Sequence, residues 1–180
     1  KSMTHHEQQF GELSAALASS SKRGLPMILT GVLFWLVAGA AGFLDHAVTV
    51  WVYLYGIGVI FPVGLLVAKG MKLDMMAKGN PLSVLAGVVG GMQVLFAPII
   101  ILVLFQLPDY VPFAVGVLTC AHFLPFAVIF RSKAYVFQSV ATVAVAAITG
   151  FALNDLTFLV TPFAVMIVYL VTCVWLAQES

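Results

Sequence analysis

Two polar residues lie inside long apolar stretches of the sequence, and both could form hydrogen bonds within a membrane. Gln93 carries an amide that donates and accepts, and His122 carries an imidazole that can also exchange a proton near neutral pH. A polar group left unpartnered in hydrocarbon is costly, so each needs a partner or has a function. With Thr119, about one helical turn before His122, they are the predicted substrate-binding residues.

Gln93 and His122 are predicted to lie at nearly the same depth. Gln93 is 15 residues before Pro108, and His122 is 14 residues after it. If Pro108 lies in a turn between two antiparallel helices, both side chains reach the middle of the membrane. We predict that they are hydrogen-bonded or line one polar cavity. The alternative is a buried pair that only holds two helices together.

Six apolar stretches are long enough to hold such residues within a membrane. A helix rises about 1.5 Å per residue, so about 20 residues cross a hydrocarbon core of about 30 Å. Barrel strands are half as long and alternate strictly, which excludes strands here. The predicted fold is all-α: a polytopic integral membrane protein with six transmembrane helices in three antiparallel hairpins. The predicted spans, all without Lys, Arg, Asp or Glu, are residues 25–44, 47–68, 82–105, 111–130, 134–153 and 156–177.

The composition excludes a water-soluble fold and gives no basis for a nucleic-acid partner. Hydrophobic residues make up 62% of the chain and charged residues 8%, whereas soluble domains contain about 25% charged residues. The net charge of +1 provides no basic surface for nucleic acid. Membrane lipids are therefore the expected partners. Self-association into a homo-oligomer is left open by the sequence.

The cationic residues predict the orientation of the chain. All 8 Lys and Arg residues lie in the N-terminal segment, the second loop or the fourth loop. The positive-inside rule places those segments in the cytoplasm. Because the number of spans is even, both termini are predicted to be cytoplasmic.

Two regions are predicted along the chain. Residues 1–24 form a cytoplasmic or interfacial segment, and residues 25–180 form the transmembrane domain. Phe10, Leu13 and Leu17 recur at helical spacing in the first region. This spacing favours a helix on the membrane surface, and a frayed tail is the alternative.

Four prolines within the spans are candidate helix breaks: Pro62, Pro98, Pro125 and Pro162. A proline has no N–H, so it leaves the carbonyl one turn earlier without its helical partner. Such a carbonyl is tolerated at membrane depth when it faces a cavity or another helix. Helices broken in this way are typical of transporters, where they surround the substrate site.

Other polar positions give weaker candidates. Gln138 is predicted to lie near the cytoplasmic interface, where its side chain could reach water. The outer turns carry Asp45-His46 and Asn154-Asp155. We interpret these four residues as solvated turn residues rather than a metal or substrate-entry site.

Motifs for catalysis or cofactor binding are missing from the sequence. It has no Walker lysine motif, no HExxH and no GxSxG. No transmembrane carboxylate is available to pair with His122, and no second buried histidine could complete a bis-histidine haem site. We therefore predict no enzyme activity, no metal and no cofactor.

Three passages of the sequence resemble a known family. They are residues 58–74 (GVIFPVGLLVAKGMKLD), 80–98 (NPLSVLAGVVGGMQVLFAP) and 116–135 (GVLTCAHFLPFAVIFRSKAY). They are similar to small bacterial integral-membrane proteins that form a family of unknown function. The resemblance implies a multi-pass protein of the bacterial inner membrane. It implies no substrate and no catalytic residues.

The predicted function is transport or binding of a small solute through a polar site at the midplane. The alternative is a non-transporting membrane module that binds a lipid or a protein partner and acts as a sensor or scaffold. Proline breaks and midplane polarity favour transport. The small size of the chain counts against a central path in a single copy.

Overall fold

The structure is a computed structural model that describes residues 5–153 and 156–179. Over these residues the chain is helical and contains no strand. Six of its helical segments are long and apolar enough to cross a membrane, which confirms the predicted fold class. Asn154 and Asp155, predicted in an outer turn, lie outside the described residues.

Four spans are single helices, and two are interrupted. The first, second, fifth and sixth spans are the helices α2 (Leu25–Ala41), α3 (His46–Gly70), α8 (Lys133–Ala152) and α9 (Thr157–Gln178). The third span is α4 and α5 joined by a 3-10 segment, Met92–Phe96, and the fourth is α6 and α7 joined by a turn at residues 122–123. The helices of the described residues are α1 (His5–Ser21), α2 (Leu25–Ala41), α3 (His46–Gly70), α4 (Pro81–Gly91), α5 (Ala97–Gln106), α6 (Val111–Ala121), α7 (Leu124–Ile129), α8 (Lys133–Ala152) and α9 (Thr157–Gln178).

Helix α1 is separated from α2 by a turn of left-handed backbone. Lys22, Arg23 and Gly24 have φ angles of 46°, 51° and 75°. A Cβ atom on Gly24 would lie 2.8 Å from Oη of Tyr135, so a side chain there would collide. Because Leu17 is buried against the rest of the chain, His5–Ser21 of the N-terminal segment form a packed helix rather than a frayed tail.

Helix α1 lies across one end of the bundle. Oγ of Ser14 donates to the carbonyl of Ile129 at 2.8 Å, at the end of α7. Nδ2 of Asn80 donates to the carbonyl of Leu13 at 2.8 Å, from the loop between α3 and α4. The described Lys and Arg residues lie in these segments or at the adjacent helix ends. We call this region, formed by α1, the α3–α4 loop and the α7–α8 turn, the cationic end.

The core of the bundle is formed mainly by four helices. Helix α2 packs most closely on α9, and α8 packs on both α6 and α9. Helices α3 and α4–α5 are more peripheral, with the smallest buried fraction of the spans. Their exposed apolar faces suit contact with lipid.

The four candidate prolines occupy two kinds of position. Pro62 and Pro162 lie inside α3 and α9 and do not interrupt them. Pro98 and Pro125 instead lie in the first turn of α5 and α7, directly after the two interruptions. A first-turn proline is tolerated because its missing N–H has no helical partner in any case.

Candidate functional site

Gln93 and His122 both lie where their span is interrupted. Gln93 is within the 3-10 segment of the third span, and His122 is in the turn between α6 and α7. Pro98 cannot donate to the carbonyl of Val94, and the N–H of Ala97 bonds to that carbonyl instead. The 3-10 bond from Ala97 thus satisfies the carbonyl that Pro98 leaves without its helical donor.

The structure brings Gln93 and His122 together on the lining of one cavity, as predicted, but this lining is largely apolar rather than polar. This main cavity has a volume of about 70 Å³ and extends from the two residues to the cationic end, beneath α1. One water requires about 10–15 Å³ by this measure of volume, so the main cavity has room for several waters. Phe61 and Met76 line it and are 38% and 55% exposed, which marks its opening beside α3.

Each of the two polar side chains has a buried atom without a hydrogen-bond partner. These atoms are Nε2 of Gln93 and Nδ1 of His122. His122 is only 6% exposed. Buried polar atoms in proteins are nearly always paired, either with protein or with ordered water. The adjoining cavity supplies the space for such a partner.

Thr119 lines a second, smaller cavity of about 10 Å³ together with Gln93 and His122. This small cavity lies deeper in the bundle, beside Trp35 and Tyr169. It is at the lower limit for a single water molecule. Oγ1 of Thr119 donates to the carbonyl of Val115 at 2.5 Å. Its proton is therefore engaged, while its oxygen can still accept.

One wall of the main cavity is aromatic, which the sequence analysis missed. The rings of Phe126 and Phe130 stack at 6.0 Å with an angle of 12°, and those of Phe130 and Tyr135 stack at 5.6 Å and 20°. The ring of Phe123 stacks on Tyr135 at 6.1 Å and 26°. The spacing of the three phenylalanines by three and four residues was the available signal, because it places them on one helical face.

The facing wall is built from α3 and α4. These consecutive helices pack less closely than α2 and α3 do. Gly87 and Gly90 both line the main cavity on α4. A Cβ atom on Gly90 would lie 3.4 Å from the ring of Phe61, whereas a Cβ on Gly87 would have no atom within 4 Å. The space beside Gly87 is therefore part of the opening between the two helices.

An aromatic cluster closes the bundle on the other side of the site. The rings of Phe34 and Trp35 meet edge-to-face at 5.0 Å, and those of Tyr53 and Phe158 meet at 5.9 Å. Trp35 and Tyr53 are fully buried. This cluster separates both cavities from the end opposite the cationic end.

Gln138 does not reach water, so that expectation is wrong. Its side chain is fully buried, Oε1 accepts from Oγ1 of Thr172 at 2.5 Å, and Nε2 donates to Oγ1 of Thr142 at 3.3 Å. Oγ1 of Thr161 lies 2.8 Å from Oγ1 of Thr149. These side chains form paired contacts between α8 and α9, away from the cavities.

The outer-turn residues that the structure describes have local partners. Oδ1 of Asp45 accepts from the N–H of Ala47 at 3.1 Å and caps α3. The ring of His46 lies 4.7 Å from that of Phe158. Among residues 5–153 and 156–179, no three His, Cys, Asp or Glu side chains come together as a metal site requires.

The match to known sequences covers almost the whole chain. A family model described as a family of unknown function (DUF7010) matches residues 10–179. The chain belongs to this family. No curated protein and no solved structure matches it. The resemblance to a family without assigned function is thereby confirmed.

The residues matched by the DUF7010 model show which helices belong to the family unit. The matched residues include α1 from Phe10 onward, both interrupted spans and α9 to its end. Helix α1 is thus part of the same family unit as the bundle it crosses. Since DUF7010 has no assigned activity, the function of this member has to be argued from its site.

Proposed function

We propose that this DUF7010 member is an integral membrane protein that binds a small uncharged molecule in the main cavity. Nε2 of Gln93 and Nδ1 of His122 carry the proposal, because both are buried and unpartnered and belong to residues that line one cavity at two helix breaks. The excess of cationic residues at one end supports a plasma (inner) membrane location with that end in the cytoplasm. The proposal involves no catalysis, metal or cofactor.

A comparison within the chain supports a binding site over a structural pair. The buried amide of Gln138, between α8 and α9, is directly bonded to Thr172 at 2.5 Å. The atoms at Gln93 and His122 have no such bond. A pair kept only for packing would be expected to satisfy itself. Unsatisfied groups beside a cavity are instead what a ligand or ordered water requires.

Passage of the bound molecule across the membrane is a second candidate. The interruptions at Gln93 and His122 favour it, because discontinuous helices at the midplane are typical of transporter sites. In the present conformation the site communicates with the cationic end, and the cluster of Phe34, Trp35 and Tyr53 closes the other side. Passage would require this cluster to move.

Cysteine labelling tests whether the cavity is accessible to water. The variants Gly87→Cys and Val88→Cys are made in a background in which Cys120 and Cys173, both buried, are replaced by alanine. Gly87 lines the cavity, whereas Val88 is 63% exposed on the outer surface of α4. N-ethylmaleimide should label Gly87→Cys much faster, because only a hydrated thiol ionises readily. Equally slow labelling at both positions would contradict the proposal.

Vesicle swelling distinguishes binding from passage. Vesicles containing the purified protein are placed in an inward gradient of urea, and swelling is followed by light scattering. If urea passes through the protein, wild-type vesicles should swell faster than vesicles with Gly87→Phe, whose side chain fills the cavity. Val88→Phe should leave the swelling rate unchanged. Equal swelling rates for wild type and Gly87→Phe would reject passage, and binding would remain as the proposed function.

A further inference from the structure

We infer that the main cavity selects a planar, uncharged amide or similar small carbonyl compound over ions of the same shape. This inference rests on the proposed function and specifies its ligand class. It follows from three properties of the cavity wall: its charge, its hydrogen-bonding atoms and its shape.

The wall provides no countercharge for an ion. None of the residues lining the main cavity is Asp, Glu, Lys or Arg. Arg23, at the cationic end, is engaged elsewhere: its Nη1 donates to the carbonyl of Phe130 at 2.6 Å, and its Nε donates to the carbonyl of Glu179 at 3.2 Å. An ion entering the cavity would lose its hydration without gaining an opposite charge, which costs several kcal/mol. A neutral molecule avoids this cost.

The unpartnered atoms require a ligand that can accept a hydrogen bond. Nε2 of Gln93 is a donor only, so it needs an acceptor such as a carbonyl oxygen. Nδ1 of His122 donates in one tautomer and accepts in the other. An amide offers a carbonyl oxygen and N–H groups, so it can satisfy both atoms in either tautomer. A purely apolar molecule would satisfy neither.

The shape of the cavity favours a small flat group. The rings of Phe126, Phe130 and Tyr135 on its wall are nearly parallel, with angles of 12° and 20° between successive rings, so a flat group can align with them. The volume of about 70 Å³ is less than half of the roughly 150 Å³ of an engineered cavity that holds benzene. A group of a few heavy atoms therefore fits, packed against these aromatic side chains with its polar edge toward Gln93.

Three probes of one shape test the inference: acetamide, acetate and acetamidinium. They share a planar skeleton and are neutral, anionic and cationic at neutral pH. The readout is the rate at which N-ethylmaleimide labels Gly87→Cys in the cysteine-free background. We expect acetamide to slow labelling about twofold when half of the sites are occupied. Acetate and acetamidinium at the same concentrations should leave the rate unchanged. Labelling of free glutathione in each probe solution controls for effects on the reagent.

Two further variants test the role assigned to Gln93. Gln93→Leu in the same background should still be labelled but should lose protection by acetamide. Gln93→Glu, which replaces a donor by a carboxylate, should shift protection from acetamide to acetamidinium. Protection by acetamide that survives Gln93→Leu would overturn the inference.

The outcomes separate this inference from the proposed function. In one case Gly87→Cys is labelled, but acetamide gives no protection or all three probes protect equally. The inferred selectivity for neutral planar ligands is then wrong, while the proposal of an accessible cavity is retained. If Gly87→Cys is labelled no faster than Val88→Cys, the accessible cavity itself is wrong.

Discussion

Oγ1 of Thr172 donates a hydrogen bond of 2.5 Å to Oε1 of Gln138, and both side chains are fully buried between α8 and α9. Thr142 accepts from the other end of the same amide at 3.3 Å. These polar atoms are satisfied by each other inside the bundle. Nε2 of Gln93 and Nδ1 of His122 have no hydrogen-bond partner, and unlike the similarly unpartnered Oη of Tyr53 and Oγ of Ser139 they belong to residues that line the main cavity.

Replacing Thr172 by valine should weaken the bundle. Thr172→Val keeps the shape of the side chain but removes the donor to Gln138, so a buried acceptor loses this partner. We expect the free energy of unfolding to fall by about 1–2 kcal/mol. Thermal unfolding in lipid nanodiscs measures the change. The double variant Gln138→Leu/Thr172→Val should recover part of the loss because it removes the acceptor too, and a further loss would contradict this explanation.

A methyl group on Gly31 should disturb the packing of α2 on α9. A Cβ atom there would overlap the ring of Tyr169, whose Oη lies 3.3 Å from Sγ of Cys120 and whose side chain is buried. Gly31→Ala should therefore cost about 1–3 kcal/mol of unfolding free energy. Gly58→Ala in α3 is the control, because a Cβ there has no atom within 4 Å. It should be neutral or stabilising by up to about 1 kcal/mol. Similar melting temperatures for the two variants would show that this contact is not made.

Arg23 should not be replaceable by lysine. Its guanidinium joins two segments, donating to the carbonyl of Phe130 at 2.6 Å and to that of Glu179 at 3.2 Å. A single ammonium group lacks this fork of donors. We expect Arg23→Lys to lower the unfolding free energy by about 1–2 kcal/mol in a thermal melt. Glu179→Gln removes only the ion pair at 3.8 Å and should cost less than about 1 kcal/mol. A larger effect of Glu179→Gln would mean that the ion pair dominates.

The orientation can be tested with one cysteine at each end. Asp109→Cys lies in the exposed turn between α5 and α6, and Lys78→Cys lies in the exposed α3–α4 loop at the cationic end. A thiol reagent that cannot cross membranes should label Asp109→Cys on intact cells. It should label Lys78→Cys only after the membrane is opened, because cationic loops stay in the cytoplasm. The reverse pattern would place the cationic end outside.

The spans and the proximity of Gln93 and His122 could be predicted because both depend on local properties. Hydropathy and the absence of charge mark a span within one stretch of sequence, and counting from the turn at Pro108 gives the depth of each residue. The surroundings of Gln138 could not be predicted in this way. Its partner Thr172 lies on another helix, and no pattern within one helix shows which faces meet.

The positions of the helix breaks also could not be predicted from the sequence around each proline. All four prolines lack the N–H that a helix requires, yet only Pro98 and Pro125 follow interruptions. At Pro162 the helix continues, and the carbonyl of Phe158 that this proline leaves free packs against Gly42, where a Cβ atom would overlap it. Gly42 lies on a different helix end, so the sequence around Pro162 carries no sign of it.

Removing the unpartnered polar atoms should leave the protein at least as stable and abolish binding. Gln93→Leu and His122→Phe each replace a group that has an unsatisfied buried atom by an apolar one of similar size. Gln93→Leu removes a desolvation cost without losing a hydrogen bond of Nε2, so its unfolding free energy in nanodiscs should stay equal or rise by up to about 1 kcal/mol. His122→Phe removes the same kind of cost but also the backbone hydrogen bond of the imidazole to Thr119, so its melting temperature should stay about equal. Protection of Gly87→Cys by acetamide should disappear in both variants. Stability that is unchanged or higher, together with lost binding, is expected for a site that is retained for ligand binding at a cost in stability. A lower melting temperature in both variants would instead assign Gln93 and His122 to holding the third and fourth spans together, which is the alternative that the sequence left open.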